Sequence, residues 1–109
     1  MNRDERLAQN ESRFRKVNEG IAAGRGLRDV DAELAFVCEC GRLGCTDILS
    51  VSVGEYEGVR KSGRRFIVSA GHVDPIAEVV VREADGHAVV EKLGAAGEAA
   101  DERDPREPG

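Results

Sequence analysis

Apolar side chains recur at helical spacing in the first part of the chain. Their separations of seven, three and four residues predict one amphipathic helix from residue 2 to about residue 23, with Asn2 and Glu5 at its capped start and a glycine-rich end at residues 24–26. These apolar positions are Leu7, Phe14, Val17 and Ile21. They are sparse, so we expect the helix to dock on a sheet or to pair with a second copy of itself. The other face is typical of a solvated surface, with a phosphate or partner contact as the alternative; it carries Arg3, Arg6, Arg13, Arg15 and Lys16.

Short runs of β-branched and aromatic residues then predict about five strands. The runs cover residues 34–37, 47–51, 64–70, 78–84 and 87–93. Asp85-Gly86 separates the last two runs and is the preferred sequence for a two-residue type I′ turn, so these two strands should form a hairpin. Ser52, followed three residues later by Glu55, predicts the capped start of a short helix that runs to about Lys61.

The pattern divides the chain into three segments. Residues 1–26 are the N-terminal amphipathic helix, and residues 33–93 are a small α+β domain with a mainly antiparallel sheet, one short helix and a zinc knuckle. Residues 94–109 consist largely of Gly, Ala, Glu, Asp and Pro, which predicts a disordered acidic tail. The remaining core of about 60 residues is near the lower size limit for unaided folding, so a bound metal would help to stabilise it.

The cysteines supply the candidate chemistry of the chain. All three lie within eight residues, as Cys38, Cys40 and Cys45, and Gly41 and Gly44 bracket the turn that returns the third cysteine to the first two. Residues two apart on an extended strand point to the same face, so three thiolates can surround one metal ion. Tetrahedral zinc prefers thiolate and imidazole ligands, and we therefore predict zinc as the cofactor.

His72 is the favoured fourth ligand because it follows Gly71 at the end of a predicted strand. His87 directly follows the hairpin turn, where a side chain is usually exposed, and it is a weaker candidate. Asp47, Asp74 or a water molecule are the other candidates for the fourth position. Three buried thiols without any metal are the structural alternative.

Several motifs in this order resemble those of an uncharacterised family of small actinobacterial proteins. The resemblance covers about residues 8–93 and implies no activity. The segments that carry it are Phe14-Arg15-Lys16-Val17-Asn18-Glu19, Phe36-Val37-Cys38-Glu39-Cys40, Glu55-Tyr56-Glu57-Gly58-Val59-Arg60, Arg65-Phe66-Ile67-Val68, Gly71-His72 and Val89-Val90-Glu91-Lys92.

A second candidate site is a cluster of four cations between the short helix and the third strand. Arg60, Lys61, Arg64 and Arg65 could contact a phosphate, or they could be cations favoured at a helix C-terminus and followed by a solvated loop. The formal net charge is −5, which opposes a polyanionic partner, so nucleic-acid binding is not expected. We expect another protein as the partner, and the sequence does not indicate an oligomeric state.

No apolar run reaches the roughly 20 residues needed to cross a membrane, and the charged start lacks an apolar signal core. We therefore expect a cytoplasmic protein with reduced thiols, which favours metal binding over a disulfide. The preferred function is a structural zinc module that acts as a binding or regulatory protein. The alternatives are a thiol-based redox sensor that releases zinc and an iron–sulfur protein with three cysteines and one histidine, whereas catalysis is less favoured.

Overall fold

Helices and antiparallel strands build an α+β fold, as predicted. The computed structural model describes residues 3–25 and 29–106. In chain order its elements are α1 (Arg3–Arg25), β1 (Glu33–Val37), β2 (Ile48–Ser52), α2 (Val53–Val59), β3 (Arg65–Ser69), β4 (Glu78–Ala84), β5 (His87–Lys92) and α3 (Gly94–Glu102). Among the described helices, none is long and apolar enough to span a membrane.

The described strands form two small sheets where the sequence predicted one. β1 pairs with β2 so that Phe36 lies opposite Leu49, and a second sheet has the strand order β3-β5-β4. The split arises because the chain leaves β1 after Val37, and the cysteine segment rather than a strand lies beside β3. There the backbone N–H of Glu39 donates to the carbonyl of Ile67 at 2.8 Å. The cysteine segment therefore joins the two sheets.

The core lies between the sheets and the helices. Phe36 of β1 stacks on Tyr56 of α2 with ring centroids 4.6 Å apart. The other large contributions come from β3 and β5, whose buried side chains include Phe66, Ile67, Val68, Val89 and Val90. Burial of these groups supplies the main favourable free energy of folding.

Helix α2 begins where the sequence predicted. The Ser52 hydroxyl accepts a hydrogen bond from the backbone N–H of Glu55 at 3.0 Å, which satisfies one free donor in the first turn. Tyr56 and Val59 are buried, as expected for residues three apart on one helix face. The helix ends at Val59, two residues before the predicted end at Lys61, because Arg60 serves as its C-cap.

The predicted hairpin of β4 and β5 is present, but its turn is of a different type. Ala84 pairs with His87, which leaves Asp85 and Gly86 as the two loop residues. Gly86 has φ +81°, whereas no described non-glycine residue has positive φ. A type I′ turn requires positive φ at both loop positions, so the predicted type is wrong.

A register shift between Val80 and Arg82 marks a bulge in β4.

The buried face of α1 is polar, which contradicts the sequence prediction. Val17 is 46% exposed, and Arg15, expected in the solvated face, is 0% exposed. The buried positions are Glu11, Ser12, Arg15, Asn18 and Ala22. Burial of Arg15 is possible because its guanidinium donates to the carbonyls of Gly63 (2.6 Å) and Ala100 (2.9 Å). The predicted cap residue Asn2 and the terminal Gly26 lie outside the described residues.

Helix α3 replaces the predicted disordered tail over residues 94–102, and ordered backbone continues to residue 106. Composition suggested too little apolar surface, but small residues allow α3 to approach its neighbours closely. A Cβ on Gly97 would lie 2.9 Å from the carbonyl oxygen of Lys92. Asp101 and Asp104 add ion pairs to Arg64 and Arg60. Residues 107–109 of the predicted tail lie outside the described residues.

Candidate metal centre

Two turns and two strand ends bring together the four residues predicted as metal ligands. Cys38 and Cys40 follow β1, and the N–H of Cys38 donates to the Asp47 carbonyl at 3.0 Å just before β2 begins. The turn after Cys40 brings Cys45 back beside the first two cysteines. Its glycines, Gly41 and Gly44, have φ +73° and +82°. This positive φ is the conformation for which glycine was expected. His72 follows β3.

The ligand atoms converge on one point. Nδ1 of His72 lies 3.7 Å from Sγ of Cys38 and 3.6 Å from Sγ of Cys45. Bond lengths of about 2.3 Å for zinc–sulfur and about 2.05 Å for zinc–nitrogen at a tetrahedral angle give a nitrogen–sulfur separation of about 3.6 Å. With Cys40 included, all four ligand atoms lie within 4.8 Å of one another. The cluster can therefore hold a single metal ion.

The three sulfur atoms have unequal surroundings. Sγ of Cys38 accepts a hydrogen bond from the backbone N–H of Ser69 at 3.1 Å, and Sγ of Cys40 accepts one from the N–H of Arg42 at 3.4 Å. Both residues are buried, whereas Cys45 is half-buried and its sulfur contacts the His72 ring. All three are free thiols, so no disulfide competes with metal binding.

Burial makes the free thiolates unfavourable. Loss of solvent raises the pKa of Cys38, although hydrogen bonds from Ser69 oppose the shift. Burial raises the pKa of Cys40 to about 12, and the nearby Cys38 adds to the shift. A cation in contact with the sulfurs would reverse this preference, because metal coordination removes the thiol protons.

The other candidates for the fourth position lie elsewhere. His87 is buried rather than exposed, and its Nε2 lies 2.6 Å from Oε2 of Glu55. Asp74 caps its own loop by accepting from the N–H of Ile76 at 3.1 Å. Asp47 approaches the far nitrogen of His72, with 3.7 Å between Oδ2 and Nε2. His72 is therefore the residue that turns a ring nitrogen toward the sulfurs.

Sequence reasoning missed the role of Glu39, which separates the first two cysteines. Its side chain is completely buried and accepts hydrogen bonds from Asn18 Nδ2 (2.8 Å), the Tyr56 hydroxyl (3.1 Å) and the Ile67 N–H (2.9 Å). Burial raises the pKa of Glu39, and these three donors oppose the shift. The network connects the cysteine segment to α1, α2 and β3. The signal available in the sequence for this role was a charged residue between two cysteines.

The cation cluster is largely occupied by internal ion pairs. The Arg60 side chain is 0% exposed and pairs with Glu19 and Asp104. Arg64 pairs with Asp101 at 2.8 Å and Arg65 with Glu91 at 3.0 Å, while Lys61 is exposed. Arg60 thus presents no surface to a phosphate, and the structure gives the phosphate interpretation no support.

No protein family, curated protein sequence or solved structure matches this chain. The resemblance to small actinobacterial proteins therefore stays a hypothesis from sequence motifs. The functional interpretation depends on the geometry of the cysteine and histidine cluster.

Proposed function

We propose that the protein is a small zinc-binding module in which Cys38, Cys40, Cys45 and His72 hold one structural zinc ion. The observation that carries the proposal is the approach of His72 Nδ1 to within 3.6 and 3.7 Å of two cysteine sulfurs, the spacing of ligands around one tetrahedral ion. Three thiolates with one imidazole favour zinc among the common divalent ions of cells. A two-iron cluster would divide its four ligands between two irons, so convergence on one point favours a single ion.

A structural role agrees with where the ligands lie in the fold. Cys38 and Cys40 extend from β1, whereas His72 follows β3 in the other sheet. One ion held by these residues would connect the two sheets across a small core. With four protein ligands, no open position is left for the water molecule that catalytic zinc normally binds.

The first test is the metal content and its effect on folding. We expect about one zinc per chain by elemental analysis of the protein purified without added metal, and unfolding by far-ultraviolet circular dichroism when a strong chelator removes it. Restored zinc should restore the spectrum. A chain that stays folded and metal-free in excess chelator would refute the structural role.

The second test uses the two histidines as a matched pair. Structural zinc sites bind with about 10–16 kcal/mol, so loss of one ligand of four should cost about 2–4 kcal/mol, or about 30-fold to 1,000-fold in zinc affinity. We expect this loss for His72→Ala in competition with a chromophoric chelator. His87→Ala should retain the wild-type affinity because its ring lies against Glu55. Equal losses in both variants would contradict the ligand assignment.

We further propose that the zinc-loaded module acts in the cytoplasm as a binding or regulatory protein for a protein partner. The net charge of −5 and the internal pairing of the arginine cluster both oppose a nucleic-acid partner. Proximity labelling in cells with wild-type protein and with His72→Ala would test this. Partners labelled only by the zinc-competent form support the proposal, and an absence of any such difference opposes it.

A thiol-based redox sensor is the second candidate function, and the unequal sulfur surroundings favour it. Cys45 is half-buried, and N–H donors are observed on the sulfurs of Cys38 and Cys40. The Cys45 thiolate would attack a peroxide oxygen, break the O–O bond and release hydroxide, which yields a sulfenic acid. A second cysteine thiolate would then attack that sulfur, form a disulfide and release another hydroxide. Loss of two thiolate ligands would release the zinc.

Peroxide titration with a zinc indicator tests the sensor. We expect zinc release at mild peroxide concentrations, accompanied by one disulfide per chain in mass spectrometry. Reduction should restore zinc binding. Retention of zinc under mild peroxide would exclude sensing and leave the structural role intact.

A further inference from the structure

The two ring nitrogens of His72 face different groups. Nδ1 faces the sulfurs of Cys38 and Cys45, whereas Nε2 lies 3.7 Å from Oδ2 of Asp47. A neutral imidazole carries one proton, so coordination through Nδ1 requires that Nε2 keep it. The N–H that remains then points to the side of the ring where the Asp47 carboxylate lies.

Asp47 is itself held in place by the residues of the site. Its Oδ2 accepts a hydrogen bond from the Ser69 hydroxyl at 2.8 Å, and its carbonyl accepts from the N–H of Cys38 at 3.0 Å. The N–H of Ser69 donates to the Cys38 sulfur at 3.1 Å. Ser69 therefore fixes one metal-site sulfur and the carboxylate beside His72 at the same time.

We propose that Asp47 is a positioning residue for the metal site, which holds His72 in the tautomer and orientation that present Nδ1 to the metal. The proposal rests on the proposed function. The distance of 3.7 Å from Nε2 is longer than a hydrogen bond, and we expect it to shorten when the metal fixes the ring. Asp47 cannot itself replace His72 as ligand in this arrangement, because it lies beside the nitrogen that faces away from the sulfurs.

Such a carboxylate should strengthen metal binding in two ways. It selects the imidazole tautomer before the metal arrives, and its negative charge makes the coordinating nitrogen a better electron donor. Removal of a group with this role typically weakens metal affinity about 10-fold to 100-fold. Because the Asp47 side chain is 50% exposed, we expect the lower end of that range.

The test compares zinc affinities by competition with a chromophoric chelator. We expect Asp47→Ala to weaken zinc binding about 10-fold, and Asp47→Asn to weaken it by a smaller factor. Asn keeps an acceptor for Ser69, so the second variant should fold even if the first does not. Asp74→Asn is the matched control, since it removes the same charge two residues from His72 and should change the affinity less than about twofold.

A combined variant separates positioning from a general structural effect. In a His72→Ala background the ring is gone, so Asp47→Asn should no longer weaken zinc binding. An equal loss in both backgrounds, or an equal loss for Asp74→Asn, would overturn the proposal. Wild-type affinity in both Asp47 variants would also overturn it. If the wild-type chain binds no zinc, the proposed function itself is wrong, a result distinguishable from failure of the Asp47 role alone.

Discussion

Asn18 of α1 donates a 2.8 Å hydrogen bond from Nδ2 to Oε2 of Glu39, inside the protein and beside the cysteines. Asn18 also accepts from the N–H of Val37 through its Oδ1 at 2.8 Å. One helix side chain therefore fixes both the end of β1 and the residue between two candidate ligands. Because both side chains are fully buried, water cannot replace these hydrogen bonds when one partner is lost.

This arrangement predicts a large stability loss for Glu39→Ala. The substitution leaves the Ile67 N–H and the Tyr56 hydroxyl without their acceptor and creates a cavity, so we expect a loss of about 3 kcal/mol or more. Glu39→Gln keeps the shape and one acceptor oxygen, and should lose about 1–2 kcal/mol. Urea denaturation of both variants and of the wild type measures both values. A loss for Ala no larger than the loss for Gln would show that the hydrogen bonds accepted by the Glu39 side chain do not determine stability at this position.

The two glycines of the cysteine turn predict unequal effects of substitution. Both have positive φ, which costs a non-glycine residue about 1–2 kcal/mol. A Cβ on Gly41 would also lie 2.5 Å from Cγ of Glu11 and 3.0 Å from the carbonyl oxygen of Leu7, whereas a Cβ on Gly44 meets nothing within 4 Å. Gly41→Ala should therefore destabilise the protein by at least about 1 kcal/mol more than Gly44→Ala. Equal midpoints in urea denaturation would show that α1 does not pack tightly on the turn.

The sequence was informative for features that depend on the spacing of nearby residues. The strands, the Ser52 cap and the cysteine cluster all depend on local spacing, and so they could be predicted. The buried face of α1 could not, because the groups that accept hydrogen bonds from Arg15 and Asn18 are distant in the sequence. His87 appeared exposed for the same reason, since its partner Glu55 is 32 residues away.

The candidate site shows the same division between local and distant information. Cysteine spacing predicted three ligands that converge, and Gly71-His72 at a strand end predicted the fourth. The contact of Asp47 with the far side of the His72 ring depends on how β2 and β3 lie next to each other. No local pattern encodes that relationship.

The ion pairs of the C-terminal segment provide a test of its contribution to stability. Asp104 pairs with Arg60, whose side chain is fully buried, whereas Asp101 pairs with Arg64 at a position where both side chains are 40–48% exposed. Asp104→Asn should cost about 2–3 kcal/mol because it leaves a buried guanidinium with one fewer counter-charge. Asp101→Asn should cost at most about 0.5 kcal/mol. If the two variants have equal stability in urea, the segment after α3 does not contribute through Arg60.

A buried group of three charges predicts a pH dependence of stability. Nζ of Lys92 contacts carboxylate oxygens of Glu11 and Glu78, so two buried carboxylates share one cation. Burial raises the pKa of Glu11 from 4.5 to about 7, although Lys92 opposes the shift. The guanidinium of Arg15 on the same helix also favours the charged form.

The direction follows from proton binding in the two states. Between about pH 4.5 and pH 7 the folded chain holds a proton on Glu11 that the unfolded chain has released, so the stabilisation from this group is lost as pH rises through that window. Glu11→Gln cannot titrate. We therefore expect its stability relative to wild type to increase by about 1–3 kcal/mol between pH 5 and pH 8. Urea denaturation of both proteins at each pH gives the difference, and contributions from the thiols and histidines, present in both, cancel. A difference that is constant across this range would show that Glu11 stays ionised beside Lys92 in the folded chain.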